Sequence, residues 1–321
     1  MDLDVIFVGT GGSVPSARRG LPAVLIRRGG DRILVDCGEG TQRQLVGSYG
    51  LPELSEIFIT HFHADHWLGL PGLLKTLDLR GRERPLTVYG PPGLGRMLGT
   101  LSPVYGRTDY ELSVVELEPG ETVERDDYTI APVMVNHRGR AYGYALFEED
   151  RPGRFDAELA EKLGVTPGPD FGRIQRGETV NGVSPDQVMG EARHGRKVVI
   201  SGDTSPCEAL AVAAHDADLL VHEATFAADE TERASQTGHS TATQAAELAR
   251  DAGVKLLALT HISTRYGGGL LRDEARAVFP NSYVPRDFDR AELPFRERGE
   301  PELVRWDGQA PPAKAERSPP A

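Results

Sequence analysis

At 321 residues, with 39% apolar and 26% charged side chains, the chain has the makeup of a globular protein with one large core or two modest ones, and not of a fibre or a disordered chain. No apolar run approaches the roughly 20 residues of a membrane span, and no basic, apolar leader precedes Asp2 and Asp4, so a cytoplasmic enzyme without membrane contact is expected. The formal charge of -12 argues against nucleic acid as a partner, because phosphate neutralisation shows as a basic excess, and the two cysteines, Cys37 and Cys207, form no disulfide framework and read as small buried side chains.

Residues 5–8 form a short apolar run that ends at Gly9-Thr10-Gly11-Gly12, and residues 33–35 form another that ends at Asp36; both read as buried strands. A third run, 56–60, leads into His61-Phe62-His63-Ala64-Asp65-His66. At an extended strand end, residues two apart share a face, so His61 and His63 converge on one ion while Asp65 and His66, past the bend, reach a second. Helical spacing follows over 67–79. Four such groups cannot close two metal sites, and three further donors stand just past apolar strands, where α/β sheets place their sites: His137 after 130–135, Asp203 after 198–202 and His261 after 256–260.

Between 151 and 192 the alternation of strands and helices breaks. A short amphipathic helix over 157–163 precedes Gly164-Val165-Thr166-Pro167-Gly168-Pro169 and Phe171-Gly172-Arg173-Ile174-Gln175-Arg176-Gly177, a density of Gly and Pro that reads as an insertion or projecting arm, with a long surface loop as the alternative. His194 and His215 read as solvated surface residues. After 219–221, Glu223 follows His222, which reads as a support for the fold, and Gly238-His239-Ser240-Thr241 opens a helix over 241–252 with Ser240 as N-cap and Gly253 as its stop. Capping explains Ser240 but not His239. Glu223 is therefore expected to orient the His239 imidazole, which donates a proton to a leaving oxygen. The catalytic domain is expected over 1–306, with a disordered tail at 307–321.

The cluster His61-x-His63-x-Asp65-His66, with His137, Asp203 and His261 in that order, resembles the metallo-β-lactamase superfamily. Within it the chain resembles the ribonuclease Z family, through Asp36-Cys37-Gly38-Glu39-Gly40-Thr41-Gln42-Arg43-Gln44-Leu45, Gly69-Leu70-Pro71-Gly72-Leu73-Leu74, Ser201-Gly202-Asp203-Thr204, His222-Glu223-Ala224-Thr225, Gly238-His239-Ser240-Thr241 and Thr260-His261-Ile262-Ser263-Thr264-Arg265-Tyr266. The resemblance runs to about Pro294. It implies an α/β fold, an αββα sandwich with a protruding flexible arm, and a homodimeric endonuclease that trims the 3′ trailer from precursor tRNA.

It also implies two Zn2+ per subunit, with Mn2+ as the alternative. His61, His63, His137 and Asp203 would hold one ion, and Asp65, His66, Asp203 and His261 the other, with Asp65 doubling as proton acceptor for the attacking water. By the same resemblance Gly168, Pro169, Arg173 and Arg176 belong to an arm that grips tRNA. That answers the charge objection, since phosphate contact needs only a local basic surface, here with Arg151 and Arg154. Arg265 is a candidate phosphate contact. The loop Pro15-Ser16-Ala17-Arg18-Arg19-Gly20 keeps the proline and Arg19 of the family's Pro-x-Lys-x-Arg-Asn but not the lysine or asparagine, which leaves the cleavage position and the response to a CCA end open. The rival readings are a small-substrate phosphodiesterase or other hydrolase of the same fold and, further off, a non-catalytic metal-stabilised binding protein.

Overall fold

The computed structural model describes residues 1–308 and divides into two compact units, a body (1–123, 130–146 and from 197 onward) and a smaller unit (124–129 and 147–196). Strands in chain order are β1 Leu3–Gly9, β2 Ala23–Arg28, β3 Asp31–Val35, β4 Glu56–Phe58, β5 Leu86–Gly90, β6 Leu112–Glu116, β7 Val123–Glu124 and β8 Tyr128–Met134. There follow β9 Tyr142–Glu148, β10 Lys197–Ile200, β11 Leu219–Glu223, β12 Leu256–Thr260, β13 Ser282–Tyr283, β14 Arg290–Glu292 and β15 Glu302–Val304. They make two sheets, ordered β15-β14-β1-β2-β3-β4-β5-β6 and β13-β12-β11-β10-β9-β8-β7.

Strands covered on both faces need apolar residues at every position, and β11, β12 and the middle of β1 have them: Leu219, Leu220, Val221, Leu256, Leu257 and Phe7 are all buried. Helices Thr41–Gly47, Leu70–Leu79 and Leu94–Tyr105 bury Leu45, Leu73, Leu74 and Leu98 in a core with Leu34, Ile57 and Val88 of the first sheet. Each fully buried leucine there contributes roughly 1.5–3 kcal/mol. Helices Glu208–Ala214, Ala242–Asp251 and Gly268–Val278 lie on the second sheet. The sheets face each other through Phe58, whose ring stacks on Tyr89 at 4.7 Å and meets the edge of Tyr144 at 5.1 Å. Tyr144 also donates to the Ile59 carbonyl at 2.8 Å. The expected αββα sandwich is the observed fold.

Two details of helix reading change. The expected helix over 67–79 is two, Ala64–Trp67 and Leu70–Leu79, because the Gly69 amide turns to the Cys37 carbonyl at 2.9 Å. A Cβ at Gly69 would meet the Gly38 carbonyl oxygen at 2.0 Å, so only glycine fits that approach. The N-cap of Ala242–Asp251 is Thr241, whose hydroxyl accepts the Gln244 amide in a capping box. Ser240 instead donates to the Thr204 carbonyl at 2.6 Å. Gly253, at φ 69°, ends the helix as expected.

The smaller unit is folded rather than a plain loop. Helices Ala157–Lys162, Pro169–Gln175 and Pro185–Val188 enclose Ala160, Val165, Ile174, Val180, Val183 and Val188, with Phe155 against Phe171 at 4.8 Å. Pro169 and Pro185 start helices, where a missing N–H costs nothing, and Gly164 and Gly177 take left-handed turns just past the ends of Ala157–Lys162 and Pro169–Gln175. At its root the Glu148 carboxylate and Arg196 guanidinium form a buried pair at 2.7 Å. The unit also takes in 124–129, which the sequence assigns to the body, because the Glu149 amide bonds the Asp127 carbonyl at 3.0 Å. The chain stays packed to Trp306, which lies 4.9 Å from the Tyr49 ring; most of the expected tail, 309–321, falls outside the described residues. Among the described residues no helix is long and apolar enough to cross a membrane.

Candidate metal centre

The segments leaving β4, β8, β10 and β12 bring the expected ligands together within the body. Ligand atoms of His61, His63, His137 and Asp203 lie within 4.8 Å of one another, and so do those of Asp65, His66 and His261. Asp203 stands between the groups: Oδ1 is 3.3 Å from His66 Nε2, while Oδ2 is 3.3 Å from His261 Nε2 and 3.7 Å from His61 Nε2. Asp65 Oδ2 is 3.2 Å from His261 Nε2, and the His63 Nδ1 to His137 Nε2 distance is also 3.2 Å.

Whether these groups suit a metal is decided by what their far sides touch. A ligating imidazole donates its other N–H to an oxygen, which fixes the tautomer and aims the free nitrogen at the ion. His66 Nδ1 meets Asp36 Oδ2 at 2.7 Å, His137 Nδ1 the Gly238 carbonyl at 2.7 Å, His261 Nδ1 the Thr225 hydroxyl at 2.8 Å and His61 Nδ1 the Thr60 hydroxyl at 3.0 Å. Their Nε2 atoms point inward. Of the inward atoms, His61 Nε2, His66 Nε2 and Asp203 Oδ1 are buried with no hydrogen-bond partner, a costly arrangement that a bound cation relieves. Nitrogen and carboxylate donors without thiolate suit a divalent ion of the zinc or manganese type.

The electrostatics agree. Burial pushes the Asp203 carboxyl up, but the imidazoles of His261 and His66 outweigh it and hold the group well below the ordinary carboxylate range. Burial, with the neighbouring His66, pushes His61 well below the ordinary imidazole value, so it stays neutral and free to ligate. His261 takes φ 56°, a strained conformation for a non-glycine residue of the kind found at functional sites. Gly12 packs on that ring, where a Cβ would lie 2.4 Å from Nδ1.

Beside this cluster His239 Nδ1 lies 2.8 Å from Glu223 Oε1. Glu223 is fixed by the Thr204 amide at 2.9 Å and the Thr225 hydroxyl at 2.6 Å, so the imidazole is held by its Nδ1 and presents Nε2. A third close set, Asp203, His239 and His261, overlaps the two groups above. His222, on the same strand as Glu223, is buried with Nδ1 on the Glu223 carbonyl at 2.7 Å, while His194 and His215 are exposed.

Several supporting residues went unread in the sequence. Asp36 ends a strand as His137 and Asp203 do, and that position was its signal. Thr60 and Thr225 carried no signal beyond adjacency to the motifs. The Ser13 amide, 2.7 Å from Asp65 Oδ2, carried none.

The basic candidates are less free than expected. Arg19 is partly buried and donates to the Thr10 hydroxyl and, at 2.8 Å, to the Pro285 carbonyl; burial lowers its pKa. Arg265 pairs with Glu230 over the Phe226 ring. In the smaller unit Arg173 bonds Glu178 at 2.9 Å and Asp170 at 3.3 Å, and Arg176 lies 3.8 Å from Glu178. Over 151–192 seven carboxylates outnumber five cations, so no basic surface forms there by excess of charge. Gly168 and Pro169 start the helix that carries Arg173. Cys37 is buried as expected, with its thiol pKa raised by burial, but Cys207 is only half-buried at the start of Glu208–Ala214.

The family model of the metallo-beta-lactamase superfamily matches residues 19–261. The chain is 45% identical over 302 residues to Ribonuclease Z of Methanosarcina mazei, covering 92% of this chain and 99% of the relative. It is 47% identical to Ribonuclease Z of Gemmatimonas aurantiaca, with 92% and 98% covered. Among solved structures, human tRNase Z, short form, superposes with a TM-score of 0.67 at 29% identity, covering 91% of this chain and 99% of that one.

Proposed function

The chain belongs to the metallo-β-lactamase superfamily and, within it, to the ribonuclease Z family, and from this we infer that it is a metal-dependent endoribonuclease that removes the 3′ trailer from precursor tRNA. The observation that carries the reading is one site that joins a cluster fit for a divalent metal to an acid dyad, His239 with Glu223, on a chain nearly half identical to Ribonuclease Z.

We assign one zinc ion to His61, His63, His137 and Asp203 and a second to Asp65, His66, His261 and the shared Asp203, with manganese as the alternative metal. Bound metal supplies Lewis-acid activation of a water and neutralises charge on the phosphate. Asp65 accepts the water's proton: the Ser13 amide holds Oδ2, and among the described residues no hydrogen bond engages Oδ1, which is left to take it. Attack in line at phosphorus breaks the bond to the 3′ oxygen of the mature RNA, and His239 Nε2, steadied through Nδ1 by Glu223, protonates that oxygen. The products are tRNA with a 3′ hydroxyl and a trailer with a 5′ phosphate.

For the smaller unit we propose a role in holding tRNA away from the site, through the segment from Gly168 and Pro169 to Arg173 and Arg176. Because its cations are paired with carboxylates, we expect shape and backbone contacts there to matter alongside charge. We further propose that the enzyme works as a homodimer and, since precursor tRNA is its substrate, in the cytoplasm. The test is cleavage of a 3′-extended precursor tRNA with and without chelator, beside Asp65→Ala and a variant lacking 165–178. The wild type cleaves only without chelator, Asp65→Ala does not cleave, and the deletion slows tRNA but not a small phosphodiester. A wild type that hydrolyses only the small phosphodiester overturns the assignment.

A further inference from the structure

Between β1 and β2 the chain passes the metal centre as a loop, residues 10–22, and two of its residues touch the ligand group of Asp65, His66 and His261. The Ser13 amide donates to Asp65 Oδ2 at 2.7 Å, and Gly12 lies so close on the His261 ring that a Cβ there would meet Nδ1 at 2.4 Å. Ser13 holds φ 60°, a left-handed conformation that a non-glycine residue keeps only where its surroundings enforce it. Ser13 is itself exposed, so the enforcement has to come from further along the loop.

We propose that Asp287 is a positioning residue for the metal centre: it ties both ends of this loop to helix Thr41–Gly47 and so sets the Ser13 amide on Asp65 and Gly12 on His261. The proposal rests on the ligand assignment and on the part given to Asp65 above. Each Asp287 oxygen accepts two hydrogen bonds, Oδ1 from the Thr10 amide at 3.1 Å and the Thr10 hydroxyl at 2.6 Å, Oδ2 from the Gly20 amide at 2.6 Å and Gln44 Nε2 at 2.7 Å. Thr10 and Gly20 stand at the neck of the loop, which the Gly11 amide closes on the Gly20 carbonyl at 2.9 Å. Gln44 belongs to the helix, and its Nε2 also reaches the Val8 carbonyl at 3.2 Å. The Thr10 carbonyl and Gly12 amide pair in turn with Ile262, the residue after His261, at 3.0 and 3.2 Å, so a shift of Thr10 reaches His261 as well as Ser13. In Asp287→Asn the volume is kept but one oxygen becomes an NH2 that cannot accept, which leaves two of the four donors without their acceptor. The neighbouring Asp289 carboxylate bonds other groups, the Arg286 amide at 2.8 Å, the Trp306 amide at 2.9 Å and the Arg305 guanidinium.

The test is amide hydrogen exchange of the metal-free protein, read residue by residue by NMR, together with zinc titration against a competing chelator and turnover of a small phosphodiester. In Asp287→Asn the Ser13 and Gly11 amides are expected to exchange at least about tenfold faster, while those of β3 keep their wild-type protection. Zinc affinity at the site of Asp65 and His261 falls about tenfold, and kcat falls about tenfold with KM unchanged. Thr10→Val keeps the volume and removes one of the four bonds, so it shifts each readout less and in the same direction; it decides the matter where Asp287→Asn does not fold. Asp289→Asn loosens the same segment on its other side and is expected to lower Tm without changing Ser13 exchange or kcat. Unchanged Ser13 exchange in Asp287→Asn, an equal gain in Asp289→Asn, or a lower Tm with kcat and zinc affinity intact overturns the proposal. A wild type that binds no zinc overturns the metal assignment above, and Ser13 exchange then still decides whether Asp287 holds the loop.

Discussion

Burial pushes the His239 imidazole toward its neutral form, but the hydrogen bond and charge of Glu223 outweigh it and bring the pKa up to about 9 in the metal-free chain. A proton donor must be protonated when it acts, so raising the pH through that value removes the acid. Glu223→Gln keeps the shape and removes the charge, which leaves burial dominant. The expected result is that the His239 resonances of the metal-free protein titrate near 9 in the wild type and well below in Glu223→Gln, and that the alkaline limb of kcat shifts to lower pH in the variant. Coincident titrations would show that the carboxylate does not tune the ring. The same pair stabilises the fold fully below the ordinary histidine value of about 6.5, and that contribution is lost as pH rises through about 9.

At the scale of elements, strand ends do the aiming. The segment leaving β11 contributes Glu223 and Thr225, and the Thr225 hydroxyl reaches both Glu223 Oε2 and His261 Nδ1. Thr225→Val retains the shape and removes the hydroxyl, so His261 loses its orienting partner; metal affinity is expected to fall about 10–100-fold, the usual cost of losing such a partner. Metal titration against a competing chelator reads this directly, and an unchanged affinity sinks the role given to Thr225. The smaller unit allows a second check. Ile174 is fully buried in its separate apolar cluster, so Ile174→Asp is expected to open that unit while the body still hydrolyses a small phosphodiester. Limited proteolysis confined to 147–196 is the expected signature, and cleavage throughout the body would contradict it.

At the scale of the whole molecule, a metal held by the proposed ligands would tie the segments after β4, β8, β10 and β12 at four widely separated points of the chain, so occupancy and stability would be linked. Metal that binds only the folded chain adds roughly 2.7 kcal/mol at a free concentration of about 100 Kd. Tm is therefore expected to rise with added zinc and fall with chelator, and a Tm indifferent to both would mean that the cluster does not hold metal.

The sequence by itself determined the α/β class and where the candidate donors stand at strand ends, because alternation along a strand and helical periodicity are local properties written in consecutive residues; the two-sheet sandwich came from the resemblance its motifs carry. His61, His63, Asp65 and His66 were legible for that reason, and so were His137, Asp203, His261 and the Glu223–His239 pair, each just beyond an apolar run or at a helix start. What only the tertiary structure decided depends on groups brought together across the chain. The Gly238 carbonyl behind His137 and the Ser13 amide on Asp65 are backbone atoms that any residue supplies, so no side chain announces them. The neutralisation of Arg173 by Glu178 and Asp170, and the gathering of Arg18, Arg43 and Arg286 along one cleft, follow from which charges meet and not from how many the chain carries. A net charge of -12 accordingly says little about what a local cleft lined by arginines can bind, because screening confines each charge to its neighbourhood of about 8–10 Å.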